Sequence, residues 1–498
     1  MDDWGYITQN PLVRDTHSPW HFWTTLHQTD YWPLTYTLYW LFYKMFGENP
    51  SPYHAINFVL HAFNATLVFA IAQQRGVRWS LVAALLFLVH PLHVQAVAWM
   101  VQLKTLLSTA LALICLWSYS RCLATAHRSW WAIGLASFVL AILAKTSVVF
   151  LPVVLLALHG EQWWTSRDGR KPIWNRWLAT TTAFLTPFFM VSLVGGWITM
   201  RVNAINFIDR SAYVFQMPGY ERPFLMAQNL LFYLKSFLVP YPLAYLYPLR
   251  VPRIDEAASW FILAGALLLV FTLFRTLPER RGRVHFASYL VLLFPGLGLI
   301  SIPNMKLSLV ADHWAYLPDV FMVLALAPVL NTAAAGAPRV ARGCVGVCVT
   351  FFAALSFLHA RTFTSERTFW LQAEAVNPES AVPAYNLGAV ADKARDHAES
   401  LRQYDRAVRL DPGHDRAWYN LGRIHLLNGN LGVGRECLEK AIRLNPRLTI
   451  AYVGLAKMYA SLRQHERALE ILRAGLAEMP LNRELRAHWE AMASASGK

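Results

Sequence analysis

Residues 90–104 have the sequence HPLHVQAVAWMVQLK and lie between two apolar segments, residues 80–89 and 105–118. Ionisable side chains at the centre of a membrane helix cost on the order of 2.5–3.5 kcal/mol each, so they concentrate at helix ends or around cavities. His90, His93 and Lys104 therefore indicate either a functional site or a polar turn at the membrane surface. Trp99 is typical of a headgroup anchor in such a turn. We predict that the fold is organised around this stretch.

The composition of the chain is that of a membrane protein. Its 498 residues are 55% hydrophobic and 15% charged, whereas soluble domains contain roughly 25% charged residues. The net charge of +15 is distributed over short loops between apolar segments, which argues against a nucleic-acid partner. The five cysteines show no disulfide framework. No cleavable signal peptide is evident, because residues 1–33 are polar and aromatic.

Runs of apolar residues predict ten membrane spans. Five of the intervening loops are rich in arginine, and the positive-inside rule places them in the cytoplasm. The other loops, which include residues 90–104, Lys145, residues 200–257 and residues 306–313, are then external. Residues 34–46 and 224–240 are interpreted as interfacial, external or re-entrant helices. The predicted spans are residues 55–73, 80–97, 104–121, 130–145, 147–163, 177–199, 258–275, 286–302, 314–331 and 343–360.

The first predicted span carries a row of polar side chains. His54, Asn57, His61 and Asn64 are spaced by three, four and three residues, so they share one face of a helix. Such a face avoids lipid and points into the helix bundle. We interpret the row mainly as a source of interhelical hydrogen bonds, with substrate contact as the alternative.

Beyond residue 361 the sequence becomes soluble in character and repeats itself. Pro378, Pro412, Pro446 and Pro480 recur every 34 residues, as do the leucines within AYNLG, WYNLG and YVGLA. A helix–turn–helix unit of 34 residues is typical of the tetratricopeptide repeat, which binds partners in a concave groove. The sequence therefore predicts an external first loop at residues 1–54, a spanning domain at 55–362 and a repeat domain at 363–498.

Several motifs resemble those of one membrane-protein family. In chain order they are DDWGYITQNPLV, YWPLTYTLYWLF, HAINFVLHAFNATL, HPLHVQAVAW, LAKTSVVFLP and ADHWAYLP, followed by the repeats. Together they resemble the transmembrane-and-tetratricopeptide family of GT-C-type glycosyltransferases, which is similar to the protein O-mannosyltransferases. The resemblance implies an all-α fold, in which a polytopic GT-C-like helix bundle precedes a tetratricopeptide α-solenoid. It also implies sugar transfer from a polyprenyl-phosphate-linked donor to an acceptor, such as protein hydroxyl groups, on the external side.

The resemblance further implies a catalytic acidic pair in the first loop, which maps onto Asp2 and Asp3. A carboxylate can accept the proton of an acceptor hydroxyl, and cations can neutralise the charge of the leaving phosphate. We expect Asp3, or Asp2, to act as the base, and polar residues of the external loops to bind the donor phosphate. These residues are His90, His93, Lys104, Lys145, Asp312 and His313.

The sequence also departs from the family pattern. Met1 directly precedes the acidic pair where the family has a span, Gln95 and Gln102 occupy positions where acids are common, and His313 replaces an arginine. An upstream span, or a partner that replaces it, is therefore expected. The departures favour an alternative function as a non-catalytic, membrane-anchored scaffold that assembles envelope or secretion complexes. A transporter would require inverted repeats among the spans, which the sequence does not show.

No cofactor is predicted beyond the sugar-lipid donor substrate. A divalent metal is unsupported, because His90 and His93 can share a metal ion but no third ligand is evident. The expected partners are membrane lipid, the lipid-linked sugar, and a protein acceptor or partner in the repeat groove. We expect a multi-pass protein, of the inner membrane if the source is bacterial. Its first loop and repeats are external because an even number of spans separates them.

Overall fold

A computed structural model of the chain describes residues 6–7, 10–15, 18–25, 30–165, 174–206, 216–248, 250–299, 305 and 307–495. These residues form helices and irregular connections without β-strands, which confirms the all-α class. The chain divides into two compact units, Met1–Phe363 and Thr364–Lys498. The division falls one residue after the boundary that the change in composition predicts.

The first unit contains short helices before a series of long apolar ones. The helices of its described part are α1 (Pro11–Arg14), α2 (His21–Thr24), α3 (Pro33–Phe46), α4 (Pro50–Gln74), α5 (Ser80–Val89), α6 (Val94–Ala98), α7 (Leu103–Thr125), α8 (Arg128–Ala144), α9 (Leu151–Thr165), α10 (Trp174–Asn206), α11 (Arg222–Leu238), α12 (Ala257–Thr276), α13 (Arg280–Leu293), α14 (Pro318–Gly336) and α15 (Pro338–Ala360).

Six helical segments of the described chain are long and apolar enough to cross a membrane, and α5 with α6 makes a seventh if the bent pair is one span. By length and apolar composition, the described helices therefore give fewer spans than the ten predicted. The helices α8, α13 and α14 are shorter than the six or contain a shorter apolar part, and a perpendicular crossing needs about 20 residues. Residues 80–97 do not form one helix either, because the chain bends by 51° at the break after Val89. His90 is extended there and precedes Pro91, which disfavours helical geometry at the residue before it.

The predicted span 286–302 also needs correction. The helix begins earlier, at Arg280, and ends at Leu293, after which residues 294–297 form a 3₁₀ turn containing Pro295 and Gly296. Pro295 removes a backbone donor, so the regular hydrogen-bond pattern cannot continue. Likewise, residues 312–314 form a separate turn before α14.

Two ends of the first unit can be defined from contacts between helices. At the lysine end, named after Lys104 and Lys145, Asn57 near the start of α4 donates to the carbonyls of Val97 and Trp99. The arginine end is named after Arg75, which follows α4, and Arg281 of α13. The stretch of α4 from Asn57 to its C-cap Arg75 separates these ends by roughly 27 Å at a rise of 1.5 Å per residue.

The shorter helices also connect the two ends. Helix α8 starts beside the arginine-rich turn after α7 and ends at Lys145. The first turn of α14 contains Asp319, whose carboxylate pairs with His93. Further along, α14 contributes Asn331 to a cavity beside Arg75. A chain that runs between the ends in this way is compatible with spans that are short or tilted.

The second unit is a row of helix pairs. Its described helices are α16 (Glu366–Val376), α17 (Ala381–Lys393), α18 (His397–Leu410), α19 (Asp415–Leu427), α20 (Leu431–Leu444), α21 (Thr449–Ser461), α22 (His465–Glu478) and α23 (Arg483–Ala495).

The small residues of the repeat permit close packing within each pair. A Cβ atom on Gly388 would lie 2.8 Å from the ring of Tyr404, and one on Gly422 would lie 2.9 Å from the carbonyl oxygen of Gly434. These distances are shorter than van der Waals contact. Glycine at both positions therefore lets the first helix of the pair approach the second, as the 34-residue pattern predicts.

Candidate functional site

Three segments meet at the lysine end to form a charged site. Asp30 precedes α3, Lys104 lies in the first turn of α7, and Lys145 follows α8. The end of α8 is held against α3 because the hydroxyl of Thr35 donates to the carbonyl of Ala144 at 2.8 Å. This bond satisfies a carbonyl that the helix leaves without an internal partner. Tyr39 fixes α3 further by donating to the carbonyl of Val101 at 2.6 Å.

Asp30 is the acidic member of this site. Its carboxylate accepts a hydrogen bond of 3.2 Å from the hydroxyl of Tyr6. Burial raises the pKa of Asp30, whereas Lys104, Tyr6 and Lys145 oppose that rise. A carboxyl group whose pKa is raised toward neutrality is better suited to exchange protons with a substrate hydroxyl.

Lys104 lies in an aromatic environment. Its ammonium group is 4.1 Å from the ring centroid of Trp32 and 4.9 Å from that of Tyr6. Cation–π contacts of this length keep the charged group at a buried position. The N-terminal segment, α3 and α7 therefore build one side of the site together.

Lys145 forms the other side. Its ammonium group donates to the hydroxyl of Thr105 at 2.8 Å, and Thr105 donates in turn to the side-chain oxygen of Gln102 at 2.6 Å. Burial and the charge of Lys104 lower the pKa of Lys145 to about 7, although Asp30 acts in the opposite direction. Gln102, which departs from the family pattern, thus orients the hydroxyl of Thr105 that accepts the hydrogen bond from Lys145.

The site combines one carboxylate with two ammonium groups beside aromatic rings. This combination can take a proton from a hydroxyl group and can stabilise negative charge on a phosphate oxygen. It contains two residues predicted from the sequence, Lys104 and Lys145. The predicted base, Asp3, and its neighbour Asp2 lie outside the described residues.

The other predicted donor-binding residues belong to a buried hydrogen-bond network. His93 contacts the carboxylate of Asp319 at 3.2 Å and the carbonyl of Phe87 at 2.7 Å. His90 contacts the carbonyl of Phe237 at 3.0 Å. Both histidines are at most 2% exposed, so the structure gives them partners within the protein rather than an open face.

Asp312 and His313 are also buried and hydrogen-bonded within the protein. Asp312 accepts a 2.6 Å hydrogen bond from Tyr247, and burial raises the pKa of Asp312 to about 7. His313 contacts the side-chain oxygen of Gln95 through its backbone nitrogen at 3.0 Å and through Nδ1 at 2.9 Å. Burial lowers the pKa of His313, and the charges of Lys145 and Lys104 lower it further, so His313 borders the charged site.

The polar row on α4 is buried over three of its four positions. Asn57, His61 and Asn64 are buried, whereas His54 is exposed. His61 contacts the hydroxyl of Tyr316 at 2.7 Å and the carbonyl of Leu88 at 2.9 Å. The contact with Leu88 joins α4 to α5, and the contact with Tyr316 joins α4 to the turn before α14. His54 does not belong to this buried row, because it lies near the start of α4 and is exposed.

Sequence reasoning did not select Asp30. A signal for it was present, since Asp30 stands directly before an aromatic run and Pro33, which starts a helix. Its approach to Lys104 and Lys145 depends on contacts between segments far apart in the chain. No group of three or more potential metal ligands occurs in the part of the chain that the structure describes.

The fold and site define a helical membrane unit joined to a tetratricopeptide-repeat solenoid. The family described as tetratricopeptide repeat matches residues 385–434 and 428–482. This match confirms the repeats that the 34-residue pattern predicts.

Curated relatives connect the chain with the predicted family. Protein O-mannosyl-transferase TMTC1 of Mus musculus is 36% identical over 140 residues, which are 24% of this chain and 14% of the relative. Protein O-mannosyl-transferase TMTC3 of Mus musculus is 33% identical over 112 residues, 20% of this chain and 12% of the relative. The resemblance to the transmembrane-and-tetratricopeptide family is thereby confirmed over the aligned residues.

Other similarities concern proteins of different kinds. The Hsp70-Hsp90 organizing protein of Triticum aestivum is 28% identical over 114 residues, 23% of this chain and 20% of the relative. The alignment with the crystal structure of MamA covers 28% of this chain and 80% of the MamA chain, with 19% identity and a TM-score of 0.24. The Hsp70-Hsp90 organizing protein and the two mannosyl-transferases are matched over no more than 20% of their own length.

Proposed function

We propose that the chain is a membrane glycosyltransferase that transfers a sugar from a polyprenyl-phosphate-linked donor to an acceptor hydroxyl. The observation that carries this proposal is the arrangement of Asp30, Lys104 and Lys145 at one end of the helix bundle. The similarity to proteins named O-mannosyl-transferases supports it.

The proposed reaction requires a base and a site for the leaving phosphate. The acceptor oxygen forms a bond to the anomeric carbon, while the bond from that carbon to the phosphate oxygen breaks. The hydroxyl proton passes to the carboxylate of Asp30, and the phosphate leaves with the electron pair. Lys104 and Lys145 stabilise the negative charge that develops on it.

Asp30 and Asp3 are competing candidates for the base. Asp30 is supported by its half-buried position and by the two nearby lysines. Asp3, with Asp2 beside it, is supported by the family resemblance alone. The substitutions Asp30→Asn and Asp3→Asn therefore distinguish the two candidates in one assay.

The test uses the full chain in lipid nanodiscs with polyprenyl-phosphate mannose and polyprenyl-phosphate glucose as donors. Asp30→Asn should lower transfer by about 10²–10⁴-fold, the usual contribution of a general base, and should leave donor binding within about threefold of the parent. Asp15→Asn is the matched control, because Asp15 is exposed in the same N-terminal segment. Transfer by Asp30→Asn at more than about a tenth of the parental rate would contradict the proposed role of Asp30.

The lysines are tested through donor binding. Lys145→Met keeps much of the aliphatic stem but removes the charge, so donor affinity should fall about ten- to a hundredfold, the equivalent of a charge-assisted bond of roughly 1.5–3 kcal/mol. Lys44→Met is the control, since Lys44 is exposed and donates to the carbonyl of Arg14. Equal affinities of Lys145→Met and Lys44→Met would contradict phosphate binding at this site.

We place the lysine end and the repeats on the external side of the membrane. The arginine-rich loops support this orientation through the positive-inside rule. The last helix of the first unit supports it too: Ser356 of α15 donates to the carbonyl of Val89, next to His90. The chain therefore leaves the first unit at the end proposed to be external, and we propose that the repeats bind a protein acceptor on that side of the membrane.

A second candidate function is a membrane-anchored scaffold without transferase activity. The similarity of the repeats to proteins named for organising or assembly roles favours it, including the Hsp70-Hsp90 organizing protein of Triticum aestivum. Deletion of residues 364–498 separates the candidates. A transferase should keep donor binding and lose use of a protein acceptor, whereas a scaffold should show no donor binding in either form.

A further inference from the structure

A cavity of about 230 Å³ lies at the arginine end of the first unit. It opens between the turn after α4, the start of α13 and the second half of α14. Its polar lining comes from Arg75, Glu279, Arg281, His285 and Asn331, and α14 adds an apolar wall. The length of α4 separates this cavity from the charged site at the lysine end, so the glycosyltransferase proposal does not account for it.

Two guanidinium groups are held in place beside the cavity. The buried carboxylate of Glu161 pairs with Nη2 of Arg75 and lies 3.4 Å from Nε of Arg281. Arg281 also donates to the carbonyl of Arg75 at 2.9 Å. One carboxylate between two arginines leaves this group of three with a net charge of +1. Glu161 therefore orients the arginines without neutralising both of them, which suits an anionic ligand.

The cavity also contains polar atoms that have no partner within the described structure. Nδ1 of His285 is one of them, and this residue is 2% exposed. The others are the donor Nε of Arg75 and the acceptor Oδ1 of Asn331. Each buried polar atom without a hydrogen bond costs about 1–3 kcal/mol. Residues that carry buried donors and acceptors thus line the same cavity, and a ligand that carries both kinds of group can pair with Arg75 and Asn331.

The cavity lies at the ends of membrane spans, where lipid headgroups are found. The candidate spans Pro50–Gln74 and Ala257–Thr276 both end next to it. Exposed arginines surround it, and Arg280 stacks on Trp164 with 4.4 Å between the guanidinium carbon and the ring centroid. Arginine and tryptophan at the ends of spans are typical of the membrane interface, and basic cavities between helices there bind headgroups.

We propose that this cavity binds the phosphoethanolamine headgroup of a membrane phospholipid. The phosphate accepts hydrogen bonds from Arg281 and from Nε of Arg75. The ammonium group donates to Oδ1 of Asn331 and faces the carboxylate of Glu279. The acyl chains follow the apolar wall that Leu324 and Pro328 form on α14. Choline has no N–H group to donate to Asn331, so a phosphocholine headgroup satisfies the cavity less well.

The experiment measures lipid retention by the full chain. The purified protein is exchanged into detergent that contains equal amounts of phosphatidylethanolamine, phosphatidylcholine and phosphatidylglycerol of one chain length, and native mass spectrometry counts the bound lipids. We expect one retained phosphatidylethanolamine per chain, in preference to the other two lipids. Retention of phosphatidylcholine or phosphatidylglycerol to the same extent would overturn the assignment.

Two variants and a control locate the binding site. Arg281→Gln should lower retention about ten- to a hundredfold, as expected for one charge-assisted bond. Arg283→Gln is the control, because Arg283 is exposed on the same helix and does not line the cavity. Parental retention by Arg281→Gln would overturn the proposal.

Asn331→Leu keeps the proposal testable if the loss of Arg281 prevents folding, because Asn331 takes no part in the pairing with Glu161. It should remove the preference for ethanolamine over choline while both lipids still bind. An unchanged preference would refute the role of Asn331. Displacement of the lipid by millimolar inorganic phosphate would show that the cavity serves a soluble phosphate, and would overturn the lipid assignment.

Discussion

Lys145 provides a pH-dependent test of the charged site. Burial and Lys104 lower its pKa from the ordinary 10.5 to about 7, so the protonated fraction falls from about 90% at pH 6 to about 10% at pH 8. The phosphodiester of the donor stays ionised over this range. If the phosphate binds only the ammonium form, the dissociation constant should rise roughly tenfold between pH 6 and pH 8.

The substitution Lys145→Arg tests this reasoning directly. A guanidinium group stays protonated throughout the range, so donor binding by this variant should change less than about twofold over the same interval. Asp30→Asn should keep a pH dependence if Lys145 is its source, but the transition should move to lower pH because the carboxylate of Asp30 raises the pKa of Lys145. Binding can be measured by calorimetry with a short-chain polyprenyl-phosphate mannose. Equal pH dependence in the parent and in Lys145→Arg would refute the role of Lys145.

The effect of pH on folding has the opposite sign. Because the pKa of Lys145 is lower in the folded state, the unfolded chain binds more protons between pH 7 and pH 10.5. This group therefore makes folding more favourable as the pH rises through that interval. Weaker donor binding at pH 8 is then not a consequence of lost folding at Lys145.

Three further outcomes follow from the packing of the two units. His93→Phe should destabilise the first unit by about 1–3 kcal/mol, because it leaves the buried carboxyl group of Asp319 without its hydrogen-bond partner; thermal unfolding in detergent checks this, with His54→Phe as an exposed control. Gly422→Ala should lower the stability of the repeats by about 1–3 kcal/mol through overpacking against Gly434, seen as faster amide hydrogen exchange in α19 and α20. A reporter fused after Arg361 should be active outside the cytoplasm, and activity in the cytoplasm alone would contradict the proposed orientation.

Local patterns in the sequence identify most of the helical elements. Apolar runs locate the long helices because each run lies within one helix, and the 34-residue period locates the repeats because each unit is one helix–turn–helix pair. The same patterns do not determine how long each span is. The bend at His90 and the early start of α13 at Arg280 depend on local backbone geometry and on packing, so the predicted spans 80–97 and 286–302 are wrong in their bounds.

The sequence by itself determined the class of fold, the repeats, and Lys104 and Lys145 as candidate site residues. The burial of Lys104 and the half-buried position of Lys145 could not follow from it. Only the tertiary structure brought Asp30 to them, and only it joined Arg75 and Arg281, 206 residues apart, around Glu161. The physical reason is the range of the interactions. Helix formation depends on neighbours three or four residues away, and repeat packing joins helices within one 34-residue unit. A charged site depends on which helix ends meet, and that is decided by packing of the whole bundle.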